Sequence, residues 1–293
     1  MPFKQKNSPF MEANGQKSNF VIFINTTDGH FLIPLQTISS NLTEMILIDS
    51  IKTFGSYLIL MGRVLSRPQR WNVFFRQTLR ETYQLGVNSI PIVLLISFFI
   101  GAVICIQMKL NVESPWMPKF VVGYATREIL LLEFSSSIMC LILAGKVGSN
   151  ITSEIGAMRV TQQIDALEIM GVNSANFLIL PKITALMTTI PIMVIFSIAA
   201  GIAGAFAIGK FTGIMTPQDL TVGLQYEFNQ WYIWCSVIKA LFFAFIITSV
   251  ASFYGYNVKG GSIEVGKAST NAVVSCSVLI LFSDMVLTQL LMQ

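Results

Sequence analysis

The sequence predicts an all-α polytopic membrane protein with about five transmembrane helices, preceded by an amphipathic interfacial helix. Of its 293 residues, 53% are hydrophobic and only 12% are charged, whereas a soluble domain carries about 25% charged residues. Five apolar segments each approach the ~20 residues that cross a bilayer. A chain of this composition cannot cover its surface in water, so it is expected to be embedded in a membrane.

Three regions follow one another along the chain. Residues 1–50 form a polar tail with one strand-like run at Phe20–Ile24. Residues 51–89 alternate arginines with leucines and aromatic residues, which favours an interfacial helix at the lipid headgroups over a solvated cytosolic helix. The span-bearing domain is 90–293. Its five apolar segments are 90–108, 129–147, 183–208, 234–253 and 272–291.

The side of each loop follows from the basic residues. Most of the 19 lysines and arginines fall on one side if the N-terminus and the loop after the second segment share that side. The positive-inside rule therefore predicts a cytosolic or stromal N-terminus. Five spans would leave the C-terminus on the opposite side.

The stretch 144–171 separates the second and third apolar segments. Charged and small residues alternate there with apolar ones at helical spacing, and Met158, Leu167 and Met170 fall on an apolar side. Gly171 stands where a helix adopts its left-handed terminator. A polar, interrupted helix between two spans predicts a surface for a partner protein.

Glu133, Lys239 and Asp284 are ionisable residues that lie inside predicted spans. Such residues are costly in lipid and commonly face a cavity or the bundle interior. Together with Gln107 they form the predicted set for a substrate cavity. The alternative for Lys239 is an internal ion pair or a side chain that reaches to the headgroups.

Several chemistries are excluded by residue type. The only histidine is His30 in the tail, so neither a histidine metal cluster nor a Ser-His triad is available within the spans. GAFAIGKF (204–211) and GSIEVGKA (261–268) lack the final Ser or Thr of a phosphate-binding loop. No basic patch is interleaved with exposed aromatics. We therefore expect no enzyme activity, no cofactor and no nucleic-acid partner.

The stretch AGKVGSNITSEIGAMRVTQQIDALEIMGV (144–172) resembles the signature of the MlaE-type permeases, the membrane subunits of ABC lipid transporters that work with MCE-domain proteins. The resemblance is closest to the cyanobacterial and plastid branch, and it covers roughly 90–291. It continues through LPKITALMTTIP (180–191), VIKALFFA (237–244), GGSIEVGKASTNAVV (260–274) and SDMVLT (283–288).

The resemblance implies half of a homodimer, with an ABC ATPase subunit docked on a cytoplasmic coupling helix and an MCE-domain lipid-binding protein on the far side. The residues that match the coupling signature are Glu154, Gly156, Met158, Arg159, Gln163, Asp165, Ala166 and Leu167. The implied substrate is a lipid, and the implied cavity residues are Gln107, Glu133, Lys239 and Asp284.

This sequence departs from the family pattern at three places. Gln162 replaces the Glu of the family's VTEQIDAL run. The family has an Arg-Glu pair near the start of the second span. By residue identity this pair matches Arg127–Glu128. Counting back without gaps from Ala144–Gly145 instead places it at Leu132–Glu133. We expect the gapless match, because an insertion rotates a helix face by ~100° per residue. Ser136 replaces a common proline.

The function implied is lipid transfer between membranes, driven by ATP hydrolysis in a separate subunit. An ion-coupled secondary carrier or a non-transporting membrane scaffold is the alternative. A carrier would need midplane carboxylates in two related halves, and no internal repeat is evident. The plastid (chloroplast) inner envelope is favoured over a bacterial inner membrane.

Overall fold

The computed structural model forms two compact units, Met1–Leu58 and Ile59–Gln293. The residues that it describes are 21–26, 29–34, 51–66, 71–112, 118–213 and 215–292.

The first unit contains an antiparallel hairpin. Strand β1 (Val21–Thr26) pairs with β2 (Gly29–Pro34), with Val21 opposite Pro34 and Thr26 opposite Gly29. Residues 21–24 of the strand-like run of the predicted tail lie in β1, whereas Phe20 is outside the described residues, and the partner strand was not anticipated. The remainder of the predicted tail lies outside the described residues.

The second unit confirms the all-α fold and the five membrane-spanning helices. Helix α1 covers 51–64. The spanning helices are α2 (Trp71–Asn111), α3 (Phe120–Val160), α5 (Ser174–Thr212), α7 (Trp231–Tyr256) and α8 (Ser262–Leu291). Two shorter helices connect them, α4 (Gln163–Ile169) and α6 (Pro217–Gln225).

The first spanning helix begins earlier than its apolar segment. Part of the predicted interfacial region, from Trp71 onward, is continuous with α2, so the expected boundary at residue 89 falls inside a helix. The backbone widens to a π-helix at Thr82–Gly86 and tightens to a 3₁₀ turn at Val87–Ser89. Whether 51–89 lies at the headgroups stays a prediction.

Close contact between α2 and α5 depends on glycine. A Cβ added at Gly101 would lie 2.6 Å from the Cα of Gly201, closer than real atoms approach. The hydroxyls of Ser97 and Ser197 hydrogen-bond at 2.7 Å beside this contact. Small residues at this crossing therefore allow the two helices to pack closely, as in other membrane bundles.

Helix α7 supplies much of the centre of the bundle. Its residues Ala240, Phe243, Ala244 and Ile247 are fully buried. By contrast, most of the apolar face of α8 is open, with Phe282 61% exposed. This gradient places α7 inside the helix bundle and leaves the outer face of α8 for lipid or another chain.

Helix α3 is not a regular α-helix. It contains π-helical stretches at Leu130–Ile138 and Ala144–Gly148. Such stretches accommodate extra residues within a helix and are frequent at functional sites. The assignment of the family's glutamate to Glu133 by the gapless count stays a prediction.

Candidate coupling tip and charged cluster

The polar stretch 144–171 is the end of α3 followed by the short helix α4. The two helices are separated at Gln162, which has a positive φ of 60°. Helix α4 ends before Gly171, whose φ of 74° confirms the predicted left-handed terminator. We refer to residues 149–171 as the coupling tip.

A salt bridge closes the break within the coupling tip. Arg159 Nη1 lies 2.5 Å from Asp165 Oδ1, and both side chains are partly exposed. The Arg159 guanidinium also lies 5.9 Å from the ring centre of Tyr256 on α7, within the range of a cation–π contact. The two predicted docking charges are thus engaged with each other and with the bundle.

Hydrogen bonds hold the C-terminal end of α4 against the bundle. Glu168 Oε1 accepts hydrogen bonds of 2.9 Å from both Ser174 Oγ and Tyr256 Oη. These hydrogen bonds hold the pKa of Glu168 below its usual value, and the bond from Tyr256 has the larger effect on this pKa. The stabilisation is therefore present at neutral pH and weakens only when the pH falls below the usual pKa of a glutamate, toward the lowered value.

Of the eight predicted coupling residues, Gly156 is buried and the other seven are exposed or partly exposed. Glu154 pairs with Lys182 on α5 at 2.8 Å, and Gly156 packs against Val265 on α8, where an added Cβ would meet a methyl at 3.0 Å. Met158 and Leu167 are half-buried, whereas Gln163 and Ala166 are exposed.

Two exposed apolar side chains at the end of the coupling tip were not among the predicted site residues. Ile169 is 87% exposed and Met170 is 67% exposed. Met170 was predicted to lie on the apolar side of this stretch. Their position just before the Gly171 terminator, beyond any apolar segment, is the signal that could have distinguished them from packed residues.

Three of the four predicted cavity residues come together. Lys239 Nζ on α7 lies 3.0 Å from Asp284 Oδ1 on α8 and 3.6 Å from Glu133 Oε1 on α3. It also donates a 3.1 Å hydrogen bond to the carbonyl oxygen of Leu132. Lys239 is buried, whereas the Glu133 side chain is 48% exposed. The cluster therefore contains one buried cation, Lys239, and one carboxylate, Glu133, that is open to the outside of the helix bundle.

Gln107 does not share this cluster. It is exposed on α2, while the three charged residues lie on α3, α7 and α8. The internal ion pair considered for Lys239 is present, because both of its carboxylate partners are within 4 Å. Any role of the four residues in binding lipid stays a prediction.

Arg127 belongs to a different contact. It is buried, pairs with Glu128 at 2.6 Å and donates to the carbonyl oxygens of Leu224 and Tyr226 at 2.8 Å. It also stacks on the ring of Tyr124 at 5.0 Å. Arg127 thus holds the segment after α6 against the start of α3, at a site separate from the Lys239 cluster.

Comparison with known proteins agrees with this architecture. The family model described as "Permease MlaE" matches residues 78–290. A probable ABC transporter permease protein of Rickettsia bellii is 31% identical over 82% of this chain and 92% of its own length. The intermembrane phospholipid transport system permease protein MlaE of Haemophilus influenzae is 31% identical over 83% and 94%. The probable ABC transporter permease protein ycf63 of Pyropia yezoensis is 31% identical over 83% and 92%.

Five spanning helices together with relatives of this kind define a multi-pass permease subunit of an ABC transporter. Within that class, the chain belongs to the MlaE permease family, because the family model covers well over half of it.

Proposed function

We propose that this permease moves phospholipid or a related glycerolipid between membranes, using ATP hydrolysed by a separate ATPase docked on the coupling tip. The observation that carries the proposal is the build of this tip. Its inner side is fastened by Asp165 and Glu168, while Ile169 and Met170 point outward. A fixed surface with exposed apolar anchors loses little entropy on binding a partner.

The docking surface is tested by Ile169→Glu. A charge placed at an apolar anchor should weaken ATPase binding by about thirtyfold or more, measured as the ATPase that co-purifies with tagged permease. Phe211→Glu is the matched control, since Phe211 is also 87% exposed but lies at the opposite end of α5. Equal recovery of ATPase with both variants would contradict docking at this tip.

Ile169 is a cleaner probe than Asp165. Reversing the charge with Asp165→Lys would also break its salt bridge to Arg159, so a lost ATPase could reflect a loosened tip. The side chain of Ile169 is almost fully solvent-exposed, and its replacement leaves the internal ties intact.

The lipid path is proposed to pass Glu133, within a cavity completed by a second copy of the chain. The support is the exposed carboxylate of Glu133 beside the buried cation of Lys239. A polar headgroup could contact the Glu133 carboxylate while Lys239 stays buried and paired. Glu133→Gln should lower lipid-stimulated ATP turnover while dimer assembly persists. If Glu133 is only a packing contact, Glu133→Gln should behave as wild type and Glu133→Leu should disrupt assembly.

A companion variant distinguishes the two glutamates of the alignment. Glu128→Gln removes the carboxylate paired with Arg127 and leaves Lys239 untouched. A transport defect confined to Glu128→Gln would show that the gapless match selected the wrong residue. Normal lipid transfer by both Glu133 variants would exclude Glu133 from transport.

The partner on the opposite side of the membrane is proposed to be an MCE-domain protein, and the membrane is proposed to be the plastid inner envelope. The sequence runs VIKALFFA (237–244) and GGSIEVGKAS (260–269) support the plastid assignment through their resemblance to that branch. Vanadate-sensitive lipid transfer by the purified assembly separates this transporter from an ion-coupled carrier. Mass spectrometry of co-purifying proteins and lipids identifies the partners.

A further inference from the structure

A second buried lysine lies near the coupling tip. Lys182 on α5 is only 2% exposed, and its Nζ lies 2.8 Å from Glu154 Oε2 on α3 and 2.8 Å from Glu81 Oε2 on α2. Both distances are typical of strong, charge-assisted hydrogen bonds. One cation thus joins three helices.

The junction has one positive and two negative charges. Without Lys182, the two carboxylates would repel each other at a site where Glu81 is 14% exposed. Any displacement of Glu154 with the coupling tip must either carry Lys182 along or leave Lys182 with Glu81 alone. In both cases the environment of Glu81 changes.

The start of α5 also hydrogen-bonds to residues 64–66 and to the coupling tip. Asn176 Nδ2 donates to the carbonyl oxygens of Val64 and Ser66 at 2.7 and 2.6 Å. Two residues earlier, Ser174 bonds Glu168 of the coupling tip. The cytoplasmic end of α5, in the predicted orientation, therefore contacts the tip on one side and the segment leading into α2 on the other.

We propose that Lys182 is a positioning residue that transmits movement of the coupling tip to the start of α2 through its paired contacts with Glu154 and Glu81. This inference rests on the proposed function, because the movement would originate in the docked ATPase. It assigns a role to Glu81 and Lys182, neither of which belongs to the predicted coupling signature or cavity.

The deciding variant is Glu81→Gln, which leaves Lys182 paired with Glu154 and so keeps the buried cation compensated. The purified permease–ATPase complex is assayed for ATPase content, ATP turnover and lipid transferred per ATP. We expect the ATPase content and the ATP turnover to match wild type, and the lipid transferred per ATP to fall by about tenfold. Lys182→Arg, which retains both pairings, should keep the wild-type ratio.

Glu264→Gln is the matched control, because Glu264 is a half-exposed carboxylate whose ion pair among the described residues is with Lys267; its transfer per ATP should equal that of wild type. A wild-type ratio in Glu81→Gln overturns the proposal. Loss of assembly in Glu81→Gln also overturns it, since the contact would then serve folding alone. Failure of the wild-type permease to retain any ATPase would instead refute the proposed function.

Discussion

At the scale of single residues, two buried lysines each lie between two carboxylates. Lys182 contacts Glu81 and Glu154, and Lys239 contacts Asp284 and Glu133. Paired in this way, a cation can stay charged away from water, because its attraction to the carboxylates offsets the loss of hydration. Each lysine also fixes the relative position of three helices.

Removing the cation of the second cluster should destabilise the bundle. Lys239→Met leaves Asp284 buried without its counterion, which typically costs about 3–5 kcal/mol. Lys267→Met removes an exposed pair with Glu264 and should cost under about 1 kcal/mol. The check is the melting temperature of each purified variant in detergent; similar melting of the two would show that Lys239 is not held as a compensated charge.

At the scale of elements, the coupling tip depends on one unusual backbone conformation. Gln162 adopts a left-handed conformation at the break between α3 and α4, which costs a residue with a side chain roughly 1–2 kcal/mol. The break turns α4 away from the axis of α3 and allows Arg159 to reach Asp165. Local strain is thus offset by the salt bridge and by the contacts of Glu168.

Adjacent glycine substitutions test this account. Gln162→Gly should stabilise the protein by about 1 kcal/mol, because glycine adopts positive φ without strain. Gln163→Gly, one residue later and inside α4, should destabilise it by about 0.5–1 kcal/mol. Both side chains are exposed, so thermal unfolding reports the backbone effect. The same sign of shift in the two variants would contradict the assignment of the break.

Glycine contacts between spans make a second prediction at this scale. Gly101→Ala should prevent α2 and α5 from reaching their observed distance, because its Cβ would overlap the backbone of Gly201. Gly145→Ala is the control, since no atom lies within 4 Å of a Cβ placed there. Size-exclusion profiles in detergent should show loss of folded protein for Gly101→Ala alone. A normal profile for Gly101→Ala would mean that the spans separate at little cost.

At the scale of the whole molecule, five spans place the coupling tip and the C-terminus on opposite sides of the membrane. The helices themselves agree in number with the apolar segments. Their direction rests on the distribution of basic residues, which biases insertion. The predicted orientation puts the coupling tip on the side where ATP is available.

Accessibility labelling tests the orientation directly. In a cysteine-free background, single cysteines at Ser18, Asn173 and Ser262 should react from the cytosolic or stromal side. Cysteines at Ser114 and Thr216 should react from the opposite side. Labelling of Asn173 and Ser114 from the same side would contradict the five-span topology.

Much of the fold could be predicted from local pattern alone. Apolar segments of sufficient length specify spans because the backbone must satisfy its own hydrogen bonds in lipid, and the five segments became five helices. Gly171 was predicted as a left-handed terminator because few other residues adopt that conformation cheaply, and its φ is 74°. Helix ends were less predictable, since α2 and α3 continue well beyond their apolar parts.

The candidate sites show what local pattern does not contain. The sequence indicated Glu133, Lys239 and Asp284 singly, because charge is costly in lipid, but their meeting required three helices to pack in one register. The π-helical stretches of α3 set that register, and no composition rule predicts them. Likewise, the sequence did not indicate that Glu154, a predicted docking residue, pairs with Lys182 while its side chain stays 42% exposed. The partner of a side chain is decided by residues far away in sequence. Only the tertiary structure could therefore distinguish residues of the coupling tip that contact the bundle from the outward-facing Ile169 and Met170.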